Sequence, residues 1–171
     1  MAVREVVKHG HEVLTGGLPE IKEITPEIRR VVDDMIDTMR EGDPPGVGLA
    51  GPQIGEALPV IVAEPPPEHE GDDAVYRDAV VLINPKIIMA SGREVIEEGC
   101  LSCPGVTAEV ERPSQVVVSG LDIEGRPAKL EVTGALARIF QHEIDHLNGK
   151  FFFDHLNPLK RQLVKARIRR T

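Results

Sequence analysis

Residues 142–146 read His-Glu-Ile-Asp-His, an HExxH pentapeptide. On a helix, positions i and i+4 share a face, so His142 and His146 can hold one metal ion. Glu143 then stands beside them, placed to handle a proton of a water at the metal's open position. The stretch from Gly134 to Gly149, GALARIFQHEIDHLNG, has no proline. Thr133 is placed to cap its start and Gly149 to end it. Leu136, Ile139, Phe140, Ile144 and Leu147 make it apolar almost all round, which predicts a helix buried in the middle of a domain.

Two histidines do not complete a site. Metzincin peptidases place a third histidine six residues after the second, where this chain has Phe152. Gluzincins use a later glutamate, and no glutamate follows Glu143. Downstream donors reduce to Asp154 and His155, and upstream Cys100 is the obvious donor. Cys100 and Cys103 are the only cysteines and form a C-x-x-C pair. That spacing points to metal or redox chemistry rather than a structural disulfide.

The flanking sequence supplies the elements that must position these groups. Thr25-Pro26 opens a helix, followed at helical period by Ile28, Val31, Val32, Met35, Ile36 and Met39 through Arg40. A glycine-rich run, Gly46 to Gly55, comes next. It lacks the lysine of a phosphate loop, and its glycines suit close approach of a ligand to backbone. Strands are predicted at Leu58 to Ala63, Ala79 to Ile83, Lys86 to Ala90, Arg93 to Glu97, Val106 to Glu111, Gln115 to Leu121 and Ala128 to Val132. Glu64 to Asp73 reads as an acidic, proline-rich loop with His69 exposed, and Asn157-Pro158 starts a helix from Leu159 to Arg170. The expected fold is α+β: a central buried metal-binding helix among small, mostly antiparallel sheets, with an N-terminal and a C-terminal helix. Residues 1–171 read as a single metallohydrolase domain.

Composition bounds the function. Hydrophobic residues at 41% and charged residues at 28% describe a globular protein. No apolar run approaches the about 18 residues of a membrane span, and the N-terminus lacks a signal-peptide core, so a cytoplasmic location is expected. A net charge of −8 argues against a general nucleic-acid binder. The exception is residues 160–171, the basic end of the C-terminal helix, with six basic and no acidic residues. This is either a solvated helix end or a docking surface for something anionic such as RNA.

Three short motifs stand in order: GVGLAGPQ, EGCLSCP and QHEIDH. Together they resemble the three signature motifs of the peptide deformylase family, over Gly46 to His146. The resemblance implies metal-dependent hydrolysis of the N-formyl group from the N-terminal formylmethionine of new polypeptides, releasing formate. It implies Cys100, His142 and His146 as metal ligands and Glu143 as the proton carrier. Gln53 and the backbone N–H of Leu101 would stabilise the oxyanion. Gly46, Val47, Gly48 and Gly99 would bind substrate, Gly46 and Gly48 by strand-like pairing and Val47 beside the methionine pocket. It further implies Fe(2+), with Zn(2+) or Ni(2+) in some members, and docking of the basic helix on the ribosome. Asp145 is expected to pair with Arg112, Glu98 to orient a ligand, and Arg138 to lie at the pocket's mouth. Two departures stand out. Gly51 replaces an alanine and adds backbone freedom beside the substrate loop, and KHGHEVL lacks the family's proline and arginine.

Two other readings fit parts of the pattern. One is a closed structural zinc module of Cys100, Cys103, His142 and His146, which leaves Glu143 and Gln53 without roles. The other is an HExxH metallopeptidase.

Overall fold

A computed structural model describes residues 2–66 and 78–171. Its elements run α1 (Pro26–Glu41), β1 (Gly48–Ala50), β2 (Val60–Ala63), β3 (Val80–Ser91), β4 (Glu94–Cys100), β5 (Cys103–Arg112), β6 (Gln115–Leu121), β7 (Pro127–Thr133), α2 (Gly134–Leu147) and α3 (Pro158–Ile168). Five strands form an antiparallel sheet in the order β1-β2-β3-β6-β7, and β4 and β5 pair as a separate hairpin. This is the α+β architecture expected.

The sheet lies between two helices, and β2 explains why. Its four residues are all buried. Val60 and Val62 face the cluster of Val32, Met35 and Met39 on α1, while Ile61 and Ala63 face Leu136, Phe140 and Ile144 on α2. A strand covered on both faces loses the usual apolar–polar alternation. Fully burying each valine or isoleucine of this strand contributes about 1.5–3 kcal/mol. A third cluster joins Val106 and Val110 of β5 to Phe151, Phe152, Phe153 and Val164, seating α3 against the hairpin.

Local chemistry sets most boundaries. Thr25 Oγ1 accepts from the Ile28 N–H at 3.4 Å with Pro26 next in line, and Asn157 Oδ1 accepts from the Lys160 N–H at 2.9 Å ahead of α3. Thr133 precedes α2 in the extended conformation of a cap, but its side chain makes no capping bond to the helix. Gly149 takes φ +72° just past the helix end, as placed. The predicted break between Ala79–Ile83 and Lys86–Ala90 is absent, and one strand runs through Asn84-Pro85. A register shift between Ile83 and Lys86 absorbs the proline, with Asn84 at φ 51°. The Asn84 side chain clamps the bulge, accepting from Ile21 N at 3.0 Å and donating to Ile21 O at 2.8 Å. β4 and β5 extend inward to Cys100 and Cys103, beyond the predicted ends. Of the acidic loop, residues 67–73, including His69, lie outside the described residues.

Candidate metal centre

α2 packs Phe140 and Ile144 onto the sheet and turns His142, Glu143 and His146 toward the end of β4. There Cys100 completes a group whose ligand atoms all lie within 4.8 Å of one another. Cys100 Sγ stands 3.3 Å from His146 Nε2. His146 is buried, and its Nδ1 has no hydrogen-bond partner among the described residues. One thiol and two imidazoles converging from a helix and a strand fit a divalent metal with an open fourth position. Neither downstream donor joins them. His155 Nε2 lies 2.6 Å from Asp145, and Asp154 accepts from Phe151 N. Phe152, where a metzincin has its histidine, stacks against the His142 ring at 6.4 Å between centroids.

The candidate ligands are held by buried charge. Glu98 Oε2 sits 2.9 Å from His142 Nδ1, which fixes the tautomer that leaves Nε2 for a metal. Arg112 donates to both Glu98 oxygens and, at 2.9 Å, to Asp145 Oδ2. The expected Asp145–Arg112 pair and the Glu98 contact are thus present. Arg138 lines the pocket, but its guanidinium is engaged inside the wall. It donates to Glu98 at 2.6 Å, Val110 O at 3.0 Å and Glu94 O at 2.9 Å, tying α2 to the hairpin. Burial works against the Glu98 charge, yet His142 and Arg112 outweigh it and hold the carboxyl far below its usual range.

Two further groups are tuned by their surroundings. The S–H of Cys103 and the two histidines draw the Cys100 thiol well below its ordinary value, against the effect of burial. That favours the thiolate, the form that binds metal. Glu143 is buried, which pushes its carboxyl up to about 7 against the opposing pull of His142 and His146. Its Oε2 has no hydrogen-bond partner among the described residues.

A cavity of about 740 Å³ opens over this group. Gly46, Val47, Gly48, Gln53, Gly99, Cys100, Leu101, His142 and Glu143 all line it, so nearly every residue singled out in the sequence meets at one place. Gln53 Oε1 accepts from Ala50 N at 2.9 Å, which turns Nε2 toward Cys100 Sγ at 3.6 Å and Ser102 Oγ at 3.3 Å. Gly48 is packed: a Cβ there would come within 2.6 Å of both Glu143 Oε1 and Ile139 Cγ2. Gly51 corrects an expectation. Its place is buried, and a Cβ would collide with the Leu58 carbonyl oxygen, so it serves close packing rather than added freedom. The bracing by Arg138 and the Ser102 contact were not foreseen. Arg138 precedes His142 by four residues on one helical face, which was the available signal.

The model of the polypeptide deformylase family matches residues 3–162. The chain belongs to that family. Curated peptide deformylases from Thermodesulfovibrio yellowstonii and Thermomicrobium roseum are 40% and 44% identical to it. The first match covers 99% of this chain and 98% of the relative, and the second 91% and 87%. Among solved structures, the Ehrlichia chaffeensis peptide deformylase in complex with actinonin aligns with TM-score 0.88 at 36% identity, covering 99% of this chain and 98% of that one. The Thermus thermophilus peptide deformylase aligns with TM-score 0.85 at 37% identity, covering 98% and 96%. The protein is therefore a metal-dependent hydrolase that removes the formyl group from formylmethionine at polypeptide N-termini. Among its described residues, no helix is long and apolar enough to cross a membrane.

Proposed function

We propose that Cys100, His142 and His146 hold one divalent metal and that Glu143 carries the proton in deformylation. The observation behind this is the convergence of the three ligand atoms beside a buried, unpartnered carboxylate oxygen in one cavity. When bound, the metal supplies a Lewis acid that polarises the formyl carbonyl and acidifies water. Glu143 takes a proton from the water as its oxygen bonds to the formyl carbon. It then passes that proton to the departing amine as the C–N bond breaks, leaving formate and a free N-terminus. The Gln53 Nε2 and the Leu101 N–H donate to the oxygen as it gains charge, each worth about 2.7–4 kcal/mol of barrier by analogy with other oxyanion donors.

Substrate binding follows from the sheet. Among the described residues, β1 is an edge strand, paired with β2 alone. An extended peptide can add beside Gly46 and Gly48, with Gly99 on the facing wall and its methionine side chain near Val47. The closed zinc module loses support because Cys103 lies outside the ligand group. We read residues 1–171 as one metallohydrolase domain acting in the cytoplasm. Family resemblance favours Fe(2+) as the native ion, and the soft donor set also suits Zn(2+) or Ni(2+).

Formate release from a formyl-methionyl tripeptide by metal-loaded protein tests the activity. Formate and an intact unformylated tripeptide are expected, and internal cleavage would overturn the reading in favour of a peptidase. The basic helix is assigned to ribosome docking, resting on the exposed cations of residues 160–171. Deleting them should abolish co-sedimentation with ribosomes, and unchanged binding contradicts that role.

A further inference from the structure

Cys103 takes no part in the chemistry above, yet it sits against the residue that does. β4 ends at Cys100, β5 begins at Cys103, and the two pair across the end of the hairpin. Both are free thiols. Directly opposed residues of antiparallel strands have Cα atoms about 4.5–5.5 Å apart, inside the about 4.4–6.8 Å that disulfides span. As directly opposed residues of an antiparallel pair, Cys100 and Cys103 carry their side chains on the same face of the hairpin. The next pair along is Gly99 with Thr107, which leaves Pro104, Gly105 and Val106 as an unpaired excursion on β5. Gly105 adopts φ +74° with nothing within 4 Å of the place a Cβ would occupy. The hairpin end thus has room to adjust while the sulfurs close. Cys100 is partly exposed, and both cysteines line the cavity, through which a small oxidant reaches them.

We propose that Cys103 is a resolving thiol, so that oxidation of Cys100 by a hydroperoxide ends in a reversible Cys100–Cys103 disulfide. In the first step the Cys100 sulfur attacks the distal peroxide oxygen. An S–O bond forms, the O–O bond breaks, and the alcohol or water leaves with a proton. Sulfur is oxidised by two electrons and the peroxide is reduced. The Cys103 sulfur then attacks the sulfenic acid, an S–S bond forms, and hydroxide departs with the Cys103 proton as water. Without a resolving thiol, sulfenic acid proceeds to sulfinic and sulfonic acids, which a thiol reductant does not reverse. A disulfide sulfur lacks the negative charge of a ligand thiolate, so closure also releases the metal. That last point rests on the ligand role proposed for Cys100, whereas the disulfide itself does not.

The test uses the full chain loaded with zinc, exposed to hydrogen peroxide, alkylated, digested and analysed by mass spectrometry. Wild type should yield a peptide bridged between Cys100 and Cys103, with zinc in the filtrate. Dithiothreitol followed by zinc should then restore formate release. Cys103→Val keeps the buried position apolar and Cys103→Ser keeps its size. In both, Cys100 should carry sulfinic or sulfonic acid, and reductant should restore almost nothing. The proposal is overturned if wild type accumulates those acids while Cys103 remains alkylatable, or if either variant recovers as wild type does. A disulfide that forms with zinc retained upholds the resolving role and removes Cys100 from the ligand set.

Discussion

The two walls of the cleft are built by different physics. The wall proposed to carry the ligands, where α2 meets the β4–β5 hairpin, is fixed by buried charge: Glu98 and Asp145 are spanned by Arg112, and Arg138 adds a second cation to Glu98. The wall proposed to bind substrate, Gly46 to Gln53, is fixed by space. Gly48 leaves room for Glu143 and Ile139, and Gly51 leaves room for the Leu58 carbonyl. A wall held by charge fails when one partner is removed, because the other remains buried and unpaired. A wall held by space fails when an atom is added. Glu143 touches both, held by α2 and pressed against Gly48.

The largest expected effect is therefore at that shared residue. Glu143→Ala should lower kcat/KM by about 10²–10⁴-fold, the usual worth of a general base, with metal content unchanged. Steady-state formate release with metal analysis checks this, and loss of metal would instead place Glu143 in the ligand wall.

On the ligand wall, Arg112→Met should cost up to about 3–5 kcal/mol in denaturant unfolding, because Glu98 is left with Arg138 and His142 and Asp145 with His155. Metal affinity should fall about 10–100-fold as His142 loses its orienting carboxylate's support. Unchanged unfolding would mean the network is not what holds α2. On the substrate wall, Gly48→Ala should reduce kcat/KM by about 10²-fold through displacement of Glu143, with full metal content. Wild-type turnover would break the contrast between the walls.

How far the sequence discloses each wall depends on which force is at work. Helix α2 and its candidate ligands are legible because HExxH and the apolar positions share the 3.6-residue period. Cys100 is legible by elimination and through its motif. The Asp145–Arg112 pair is foreseeable, since a buried acid needs a cation. Gly51 is misread because a close backbone approach leaves no trace in residue type. Two strands are predicted where one exists because Asn84-Pro85 has the composition of a turn, and only the clamp onto Ile21 keeps the strand continuous. Thr133 has the right type and place for a cap, yet its side chain does not cap the helix.

The smallest effect lies away from both walls. Burial opposes ionisation of Asp34, but the hydrogen bonds from Arg4 and the Ala2 N–H outweigh it and lower its folded pKa. A depressed carboxylate contributes stability above its unfolded value of about 3.9, and that contribution is lost as pH falls through the folded value. Asp34→Asn should therefore lower the urea midpoint slightly at neutral pH, and the gap to wild type should close below about pH 4. A gap independent of pH would mean the carboxylate's charge plays no part.

One sulfur and two ring nitrogens are proposed to share a single ion. Crystallography or X-ray absorption on zinc-loaded protein measures this directly. The Cys100 sulfur is expected at about 2.3 Å and the His142 and His146 nitrogens at about 2.0–2.1 Å. An ion bound with no sulfur at bonding distance would contradict it.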